Sequence, residues 1–258
     1  VSRPKRRRLG QNFLVDQRVA DRIVALLDDQ PCRVLEIGPG RGALTSPLLD
    51  RFDRVMALEV DPKLAPPLER RFPGGRFEIR VADALREPLE PLVASEAPWQ
   101  VASNLPYSVG TAIVRRLMPR HDLFTRIVVM LQREVAQRVL ARPGGKGHGL
   151  LALERAAWAD ARLAFQVGPA AFRPRPKVVS SVVVLDLQPC EVESVQLEHA
   201  FRLAGHALTR PRKMLGNAIR PLASVDQLKT AGLDAAARPG TVPLDGWLEL
   251  AAAVGSGE

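Results

Sequence analysis

Residues 34–42 read Val-Leu-Glu-Ile-Gly-Pro-Gly-Arg-Gly, an apolar run that turns into three glycines at alternate positions. Backbone without Cβ atoms can approach a ligand closely, so a strand ending in Gly38, Gly40 and Gly42 reads as the floor of a binding site. Glu59 closes the next apolar run, 19 residues after Gly40. A carboxylate at that spacing can accept hydrogen bonds from both ribose hydroxyls of an adenosine. The glycine spacing is G-x-G-x-G rather than the dinucleotide pattern G-x-G-x-x-G, and a second acid, Glu36, precedes the loop. That carboxylate would serve an anionic pyrophosphate poorly and a sulfonium amino acid well. The pattern therefore favours S-adenosylmethionine over a nicotinamide cofactor, and speaks against an NAD-dependent dehydrogenase. The bland alternative is a strand–turn–helix with no ligand. Asp83, in Val-Ala-Asp-Ala-Leu, reads either as an acceptor for the adenine amino group of the same ligand or as a helix cap.

A second constellation follows at Asn104-Leu105-Pro106-Tyr107, directly after another apolar run. In an open α/β sheet the carboxyl ends of the strands form the ligand crevice, so this loop is expected to face the glycine loop. An adenine N6 lone pair is delocalised into its ring and is a poor nucleophile. The Asn104 side-chain oxygen and a backbone carbonyl, that of Leu105, could accept its two hydrogens and hold the nitrogen in line with a methyl donor. Tyr107, the only tyrosine of the chain, offers a flat face for an extruded base. An ordinary Asn-Pro turn is the alternative.

These loops need a scaffold, and the apolar pattern supplies one. Asp16 caps a helix with apolar positions at Val19, Ile23, Leu26 and Leu27. Strands are expected over 33–37, 55–59, 77–81, 99–103, 126–131, 161–167 and 180–187, with helices near 43–51, after Asp61-Pro62, near 111–118 and from about Glu134. Alternation of this kind predicts an α/β fold with a doubly wound, mostly parallel seven-stranded sheet. After Pro189 only helical periodicity remains, near 195–208, 213–222 and 244–254. Residues 1–190 are expected to form a cofactor-binding domain with a basic N-terminal segment, and 191–258 a small helical one.

The chain has 258 residues, 46% of them apolar and 25% charged, which suits globular domains. Its 37 basic and 28 acidic side chains leave +9, which favours a polyanionic partner. Residues 1–190 hold 30 basic against 20 acidic side chains and 191–258 hold 7 against 8. Dense positive blocks lie in the first eight residues (Arg3, Lys5, Arg6, Arg7, Arg8) and over 115–146, the latter including Arg115, Arg116, Arg120 and Lys146. Arg173, Arg175 and Lys177 add a third, and Arg210, Arg212 and Lys213 cluster near the C-terminus. These blocks are expected to track RNA across the sheet domain, with the helical domain adding a local contact. Two distant cysteines, Cys32 and Cys190, give neither a disulfide framework nor a metal spacing and fit a cytoplasmic protein. No apolar run exceeds the five residues of Ile127–Leu131, too short to span a membrane, and no secretion signal is read at the N-terminus. A monomer is expected.

The motifs together resemble the KsgA-type small-subunit ribosomal RNA adenine N6-dimethyltransferases, of the class I methyltransferase fold. The likeness runs over nearly the whole chain: 9–14, Glu36 to Thr45, Glu59-Val-Asp61, Asn104 to Tyr107, Met130 to Val135, Pro143-Gly-Gly-Lys146 with Gly149, Ala171 to Lys177, and Arg212-Lys213 with Asn217. The resemblance implies that Asn12, Leu14, Gly38, Glu59, Asp83 and Asn104 contact S-adenosylmethionine, with Gly40 in the same loop. It implies that Asn104 and Tyr107 hold the target adenine and that Phe172 helps clamp it. It further implies transfer of two methyl groups to each of two adjacent adenines near the 3′ end of 16S ribosomal RNA. His148 stands where the family usually has tyrosine, Ser108 where an asparagine commonly follows the tetrapeptide, and Pro211 interrupts the usual Arg-Arg-Lys run. Two rivals remain: the 23S ribosomal RNA adenine methyltransferases of macrolide resistance, and a non-catalytic RNA-binding or ribosome-assembly protein on the same fold.

Overall fold

The computed structural model describes residues 11–255. The basic block at 1–8, and Leu9-Gly10 of the first matching segment, lie outside the described residues. Nine strands are present among those described: β1 (Phe13–Leu14), β2 (Arg33–Ile37), β3 (Arg54–Glu59), β4 (Phe77–Val81), β5 (Trp99–Asn104), β6 (Phe124–Gln132), β7 (Ala159–Val167), β8 (Phe172–Arg173) and β9 (Ser180–Leu187). The helices are α1 (Gln17–Val24), α2 (Thr45–Arg51), α3 (Ala65–Arg71), α4 (Glu90–Val93), α5 (Gly110–Leu117), α6 (Arg133–Val139), α7 (Leu150–Trp158), α8 (Ser194–Leu208), α9 (Leu215–Ala218), α10 (Val225–Thr230) and α11 (Leu244–Val254).

Seven strands form one sheet in the order β4-β3-β2-β5-β6-β9-β7, and β1 and β8 form a separate two-stranded ribbon. The seven-stranded α/β sheet read from the sequence is thus present. Pairs β2–β3, β2–β5, β3–β4 and β5–β6 are parallel, whereas β6–β9 is antiparallel. Burial explains the order. Ile127, Val128, Val129 and Met130 of β6 and Val34 and Leu35 of β2 are fully enclosed, as strands covered on both faces must be. The edge strand β4 alternates between half-buried Phe77 and Ile79 and exposed Glu78 and Arg80.

Strand order reverses at β2, which pairs with β3 on one side and β5 on the other. Such a switch point opens a crevice at the carboxyl ends of the strands. Both chemical motifs lie there, one after β2 and the other after β5.

By contacts the chain divides into two compact units, 1–136 with 161–187, and 137–160 with 188–258. The segment 137–160 therefore groups with the C-terminal helices, where a single cut at 190 would have kept it with the sheet. The reason is α7, absent from the sequence reading because its residues are nearly all apolar or small and show no stripe. Leu153 of α7 joins Ala200, Leu203, Trp247 and Leu250 in the second unit's core. Helical pattern over 213–222 shortens to α9, and α10 is an addition carried by a capping box between Ser224 and Gln227. Asp16 does cap α1, accepting from the Arg18 amide at 3.0 Å.

One buried polar side chain ties a loop to the sheet. Gln100, fully enclosed on β5, accepts from the Asp28 amide at 2.8 Å and donates to the carbonyls of Asp28 and Pro31 at 2.9 and 3.0 Å. Replacing Gln100 with leucine keeps the volume but removes three part-buried hydrogen bonds to the 28–31 loop, each worth about 0.5–1.5 kcal/mol. Gln100→Leu should therefore lower the urea midpoint clearly; an unchanged midpoint would show that the 28–31 loop rearranges freely.

Candidate active site

The glycine loop begins where β2 ends. Gly38 and Gly40 adopt φ +69 and +59°, a region side chains rarely enter. A Cβ on Gly38 would meet no protein atom within 4 Å and would stand in the cleft that this residue lines. Glu59, at the end of β3, is only 2% exposed. Its Oε2 accepts from the Gly40 amide at 3.1 Å and its Oε1 from the Asp61 amide at 2.9 Å. Burial pushes its pKa up while these two amides pull the other way. One carboxylate thus fixes the loop after β2 and the turn after β3.

Ser103 ties the second pair of strand ends together. Its enclosed hydroxyl on β5 donates to the Ile37 carbonyl, the last residue of β2. Asn104 follows, and its Nδ2 donates to the Asn12 carbonyl at 3.2 Å. That bond uses one of the two amide hydrogens, and Oδ1 is an acceptor on a residue that lines the cleft. The Leu105 amide reaches the Met130 carbonyl at 3.3 Å, and the amides of Val109 and Gly110 close a turn onto the Pro106 carbonyl. Tyr107 extends from this turn with its hydroxyl 2.8 Å from Ser180 Oγ.

All of this borders one cleft with about 1200 Å³ of empty space, its open mouth included. It brings together Asn12, Leu14, Gly38, Gly40, Glu59 and Asp83 from the expected cofactor set, and Asn104, Leu105, Pro106 and Tyr107 from the tetrapeptide. Asp83 also accepts from the Leu85 amide at 2.9 Å, which closes a turn rather than capping a helix, since the next helix begins only at Glu90. Phe172 needs correction. It is fully buried, paired with Leu14 across the β1–β8 ribbon and packed in the first unit's core, and it does not line the cleft. Its burial follows from the ribbon, which fastens the 11–14 segment beside the cleft and turns the ring inward. Phe13 and Arg41 line the cleft unforeseen; the Arg41 guanidinium lies 4.8 Å from the Phe13 ring centre.

Glu36 also departs from expectation. It is 1% exposed, its Oε2 accepts from Thr45 Oγ1 at 2.7 Å, and burial, with the charge of Glu59 adding, pushes its pKa up to about 8. At neutral pH the group is mostly protonated rather than a standing negative charge. A cation in the cleft would favour its ionised form.

Two of the expected RNA-contacting arginines are engaged inside the first unit. Arg116 donates to the carbonyls of Ala84 and Glu87, and Arg120 pairs with Glu90 and Asp122. Arg115 is exposed and makes contacts of its own. Arg175 and Lys177 are exposed on the loop leading into β9. In the second unit Lys146, Arg210, Arg212 and Lys213 are exposed, with Arg210 reaching toward His206 and the Ala218 carbonyl and the Arg212 carbonyl accepting from Arg238. His148 bonds the Gly240 carbonyl through Nδ1 at 2.9 Å, and burial holds its pKa below the usual imidazole value. Among the described residues no cluster of His, Cys, Asp or Glu could hold a metal ion, and no helix is long and apolar enough to cross a membrane.

A strand order reversing at β2, a glycine loop at that switch point and an acid ending the next strand define a class I methyltransferase dependent on S-adenosylmethionine. The fold matches that of a dimethyladenosine transferase from Plasmodium falciparum (TM-score 0.74, 20% identity, covering 92% of this chain and 95% of that one). It also matches the 23S rRNA methyltransferase ErmE (TM-score 0.72, 25% identity, 94% and 99% covered). Among curated proteins, Ribosomal RNA small subunit methyltransferase A of Magnetococcus marinus is 40% identical over 251 residues, spanning 95% of this chain and 90% of that protein. The protein of the same name from Roseobacter denitrificans is 40% identical over 259 residues, spanning 96% and 91%. Ribosomal RNA adenine dimethylase is the family that matches residues 3–254, and the chain belongs to it. It is an S-adenosylmethionine-dependent ribosomal RNA adenine dimethyltransferase.

Glu36 gives a test that needs no RNA. A carboxyl whose folded pKa is raised contributes stability that is complete below its ordinary value and is lost as pH climbs toward the folded value. Between about pH 5 and 8 the ligand-free protein should therefore lose stability that Glu36→Gln retains, since glutamine still accepts from Thr45. Thermal unfolding should show the variant gaining on the parent across that window and levelling off above it. A constant difference would mean that Glu36 is charged throughout.

Proposed function

We propose that this enzyme dimethylates N6 of two adjacent adenines near the 3′ end of 16S ribosomal RNA, in the cytoplasm and on a small-subunit precursor. The small-subunit target is supported by the higher identity to the bacterial small-subunit enzymes than to the 23S enzyme. The observation that carries the site reading is the Asn104 amide. Its Nδ2 is anchored on the Asn12 carbonyl, and its Oδ1 is an acceptor beside the loop whose Gly40 amide Glu59 receives.

The residues divide the work as follows. Glu59, bonded to the Gly40 and Asp61 amides, would also hold the ribose hydroxyls of the cofactor. Gly38 and Gly40 give the ligand a backbone wall without side chains, and Asn12, Leu14 and Asp83 complete the nucleoside pocket. S-adenosylmethionine held there would supply an electrophilic methyl group on a sulfonium, with sulfur as the leaving atom. Asn104 Oδ1 and the Leu105 carbonyl accept the N6 hydrogens, which draws the lone pair out of the ring, and N6 sheds a proton to solvent. Pro106 stiffens the turn, and Tyr107 gives the base a stacking face. Exposed Arg175 and Lys177 in the first unit, and Lys146, Arg210, Arg212 and Lys213 in the second, meet RNA phosphates. Arg116 and Arg120 serve the fold instead.

Unmethylated small and large subunits, incubated separately with labelled cofactor, should yield labelled N6-dimethyladenosine from the small subunit alone. Label in the large subunit would overturn the target. Asn104→Ala should slow single-turnover methylation by on the order of a hundredfold, as loss of one transition-state hydrogen-bonding group does, with RNA affinity intact. A near-parental rate would make the loop merely structural.

Charge placement is tested by salt. Each phosphate contact removed should flatten the plot of log affinity against log salt by about 0.7–0.9. The double variant Arg175→Ala, Lys177→Ala should show a smaller slope at unchanged cofactor affinity. The double variant Arg116→Ala, Arg120→Ala should lower thermal stability and leave the slope alone. The reverse pattern would restore the 115–120 segment as the RNA track.

A further inference from the structure

Tyr107 is held at both ends. Its backbone belongs to the turn closed by the Val109 and Gly110 amides on Pro106, and its hydroxyl lies 2.8 Å from Ser180 Oγ. Ser180 is fully buried and is the first residue of β9. Because β9 runs antiparallel to β6, its start lies beside the end of β6, with Ser180 opposite Gln132. The Arg133 amide bonds the Val179 carbonyl at 3.0 Å and extends the pairing by one step. The last strand of the first unit thus delivers a hydroxyl to the carboxyl edge of the sheet, where it meets the ring that lines the cleft. Neither Ser180 nor its strand figures in the methyltransferase motifs.

We infer that Ser180 is a positioning residue that fixes the Tyr107 ring and thereby sustains the second of the two methyl transfers to each adenine. The inference rests on the reading in which Asn104 and Leu105 grip N6 and Tyr107 stacks on the base. Adenine N6 offers two hydrogens to those two acceptors. After one transfer, N6 has exchanged a hydrogen for a methyl group and has one hydrogen left. One acceptor loses its partner, and the placement of the nitrogen depends more on the stacking face. A ring tethered only at its Cα can tilt, and a tilted ring misplaces the once-methylated base more than the unmodified one. Both transfers keep the same balance: N6 electrons form the new bond to carbon, the carbon–sulfur bond breaks onto sulfur, and N6 releases a proton to solvent.

The only tyrosine of the chain makes the tether directly observable. Protein labelled with carbon-13 at tyrosine Cζ gives a single resonance, which should shift in Ser180→Ala if the hydrogen bond exists in solution. The same protein is then mixed in excess with unmethylated small subunits and cofactor, and N6-methyl- and N6,N6-dimethyladenosine are followed over time. Loss of one hydrogen bond should slow the second transfer by roughly three- to tenfold and the first by less than about twofold, so monomethylated product accumulates. That ratio does not depend on how much of the variant is folded. Tyr107→Phe, which keeps the ring and removes the hydroxyl, should give the same ratio, and the double variant should add nothing further.

An unmoved resonance in Ser180→Ala would overturn the inference. So would equal slowing of both transfers, or a Tyr107→Phe variant that dimethylates like the parent while Ser180→Ala does not. Failure of the underlying base reading has its own signature, an Asn104→Ala variant with a normal first transfer.

Discussion

A carboxylate enclosed at the end of a central strand must either be given hydrogen bonds or lose its charge, and Glu59 is given them by the loops it serves. The Gly40 amide comes from the loop after β2 and the Asp61 amide from the turn after β3. The glycine loop can take its positive-φ path only because something at its tip receives those N–H groups. Ser103 repeats the device one strand over, binding the end of β5 to the end of β2. Two side chains therefore set the spacing of three strand ends, and the cleft is the space between them. Neighbouring Glu36 shares the burial but is met by a threonine hydroxyl rather than by backbone amides, and its carboxyl is driven toward neutrality instead.

Much of this was legible because the relevant signals are local. Glycine at alternate positions, an acid closing the next apolar run and the Asn-Leu-Pro-Tyr turn each declare themselves within a few residues. The central strands were readable because burial on both faces leaves continuous apolar runs; β9 matched its expected bounds of 180–187. Long-range features were not. Nothing near Phe172 in sequence says that Leu14 will pair beside it and draw the ring into the core. Nothing near Gln100 announces the loop at 28–31 that it binds. The acidity of Glu36 suggested a charge, and only its enclosure reveals that the charge is largely absent until a cation arrives. The same holds for Arg116, whose acceptors are the carbonyls of Ala84 and Glu87, and for Arg120, which bonds distant Glu90 as well as nearby Asp122.

The second unit follows a different logic. Its core is built from small and branched residues, with Ala200, Ala204, Ala207 and Ala218 fully enclosed between Leu203, Leu215, Trp247 and Leu250. Small side chains let helices approach closely and leave little periodic contrast in the sequence, which is why α7 escaped notice. Its exposed cations sit on loops braced from within, as where Arg238 reaches the Arg212 carbonyl and His148 the Gly240 carbonyl.

The interleaving of the two units along the chain has a consequence for biosynthesis. The sheet is incomplete until β7 and β9 have been made, and nearly all of both follows the segment 137–160 that belongs to the other unit. A chain growing from its N-terminus finishes its cofactor-binding half with α7 already synthesised and most of that helix's partners still to come. Until α8 and α11 appear, Leu153 of α7 and Leu150 beside it have no core to enter. The protein therefore cannot mature as two beads on a string.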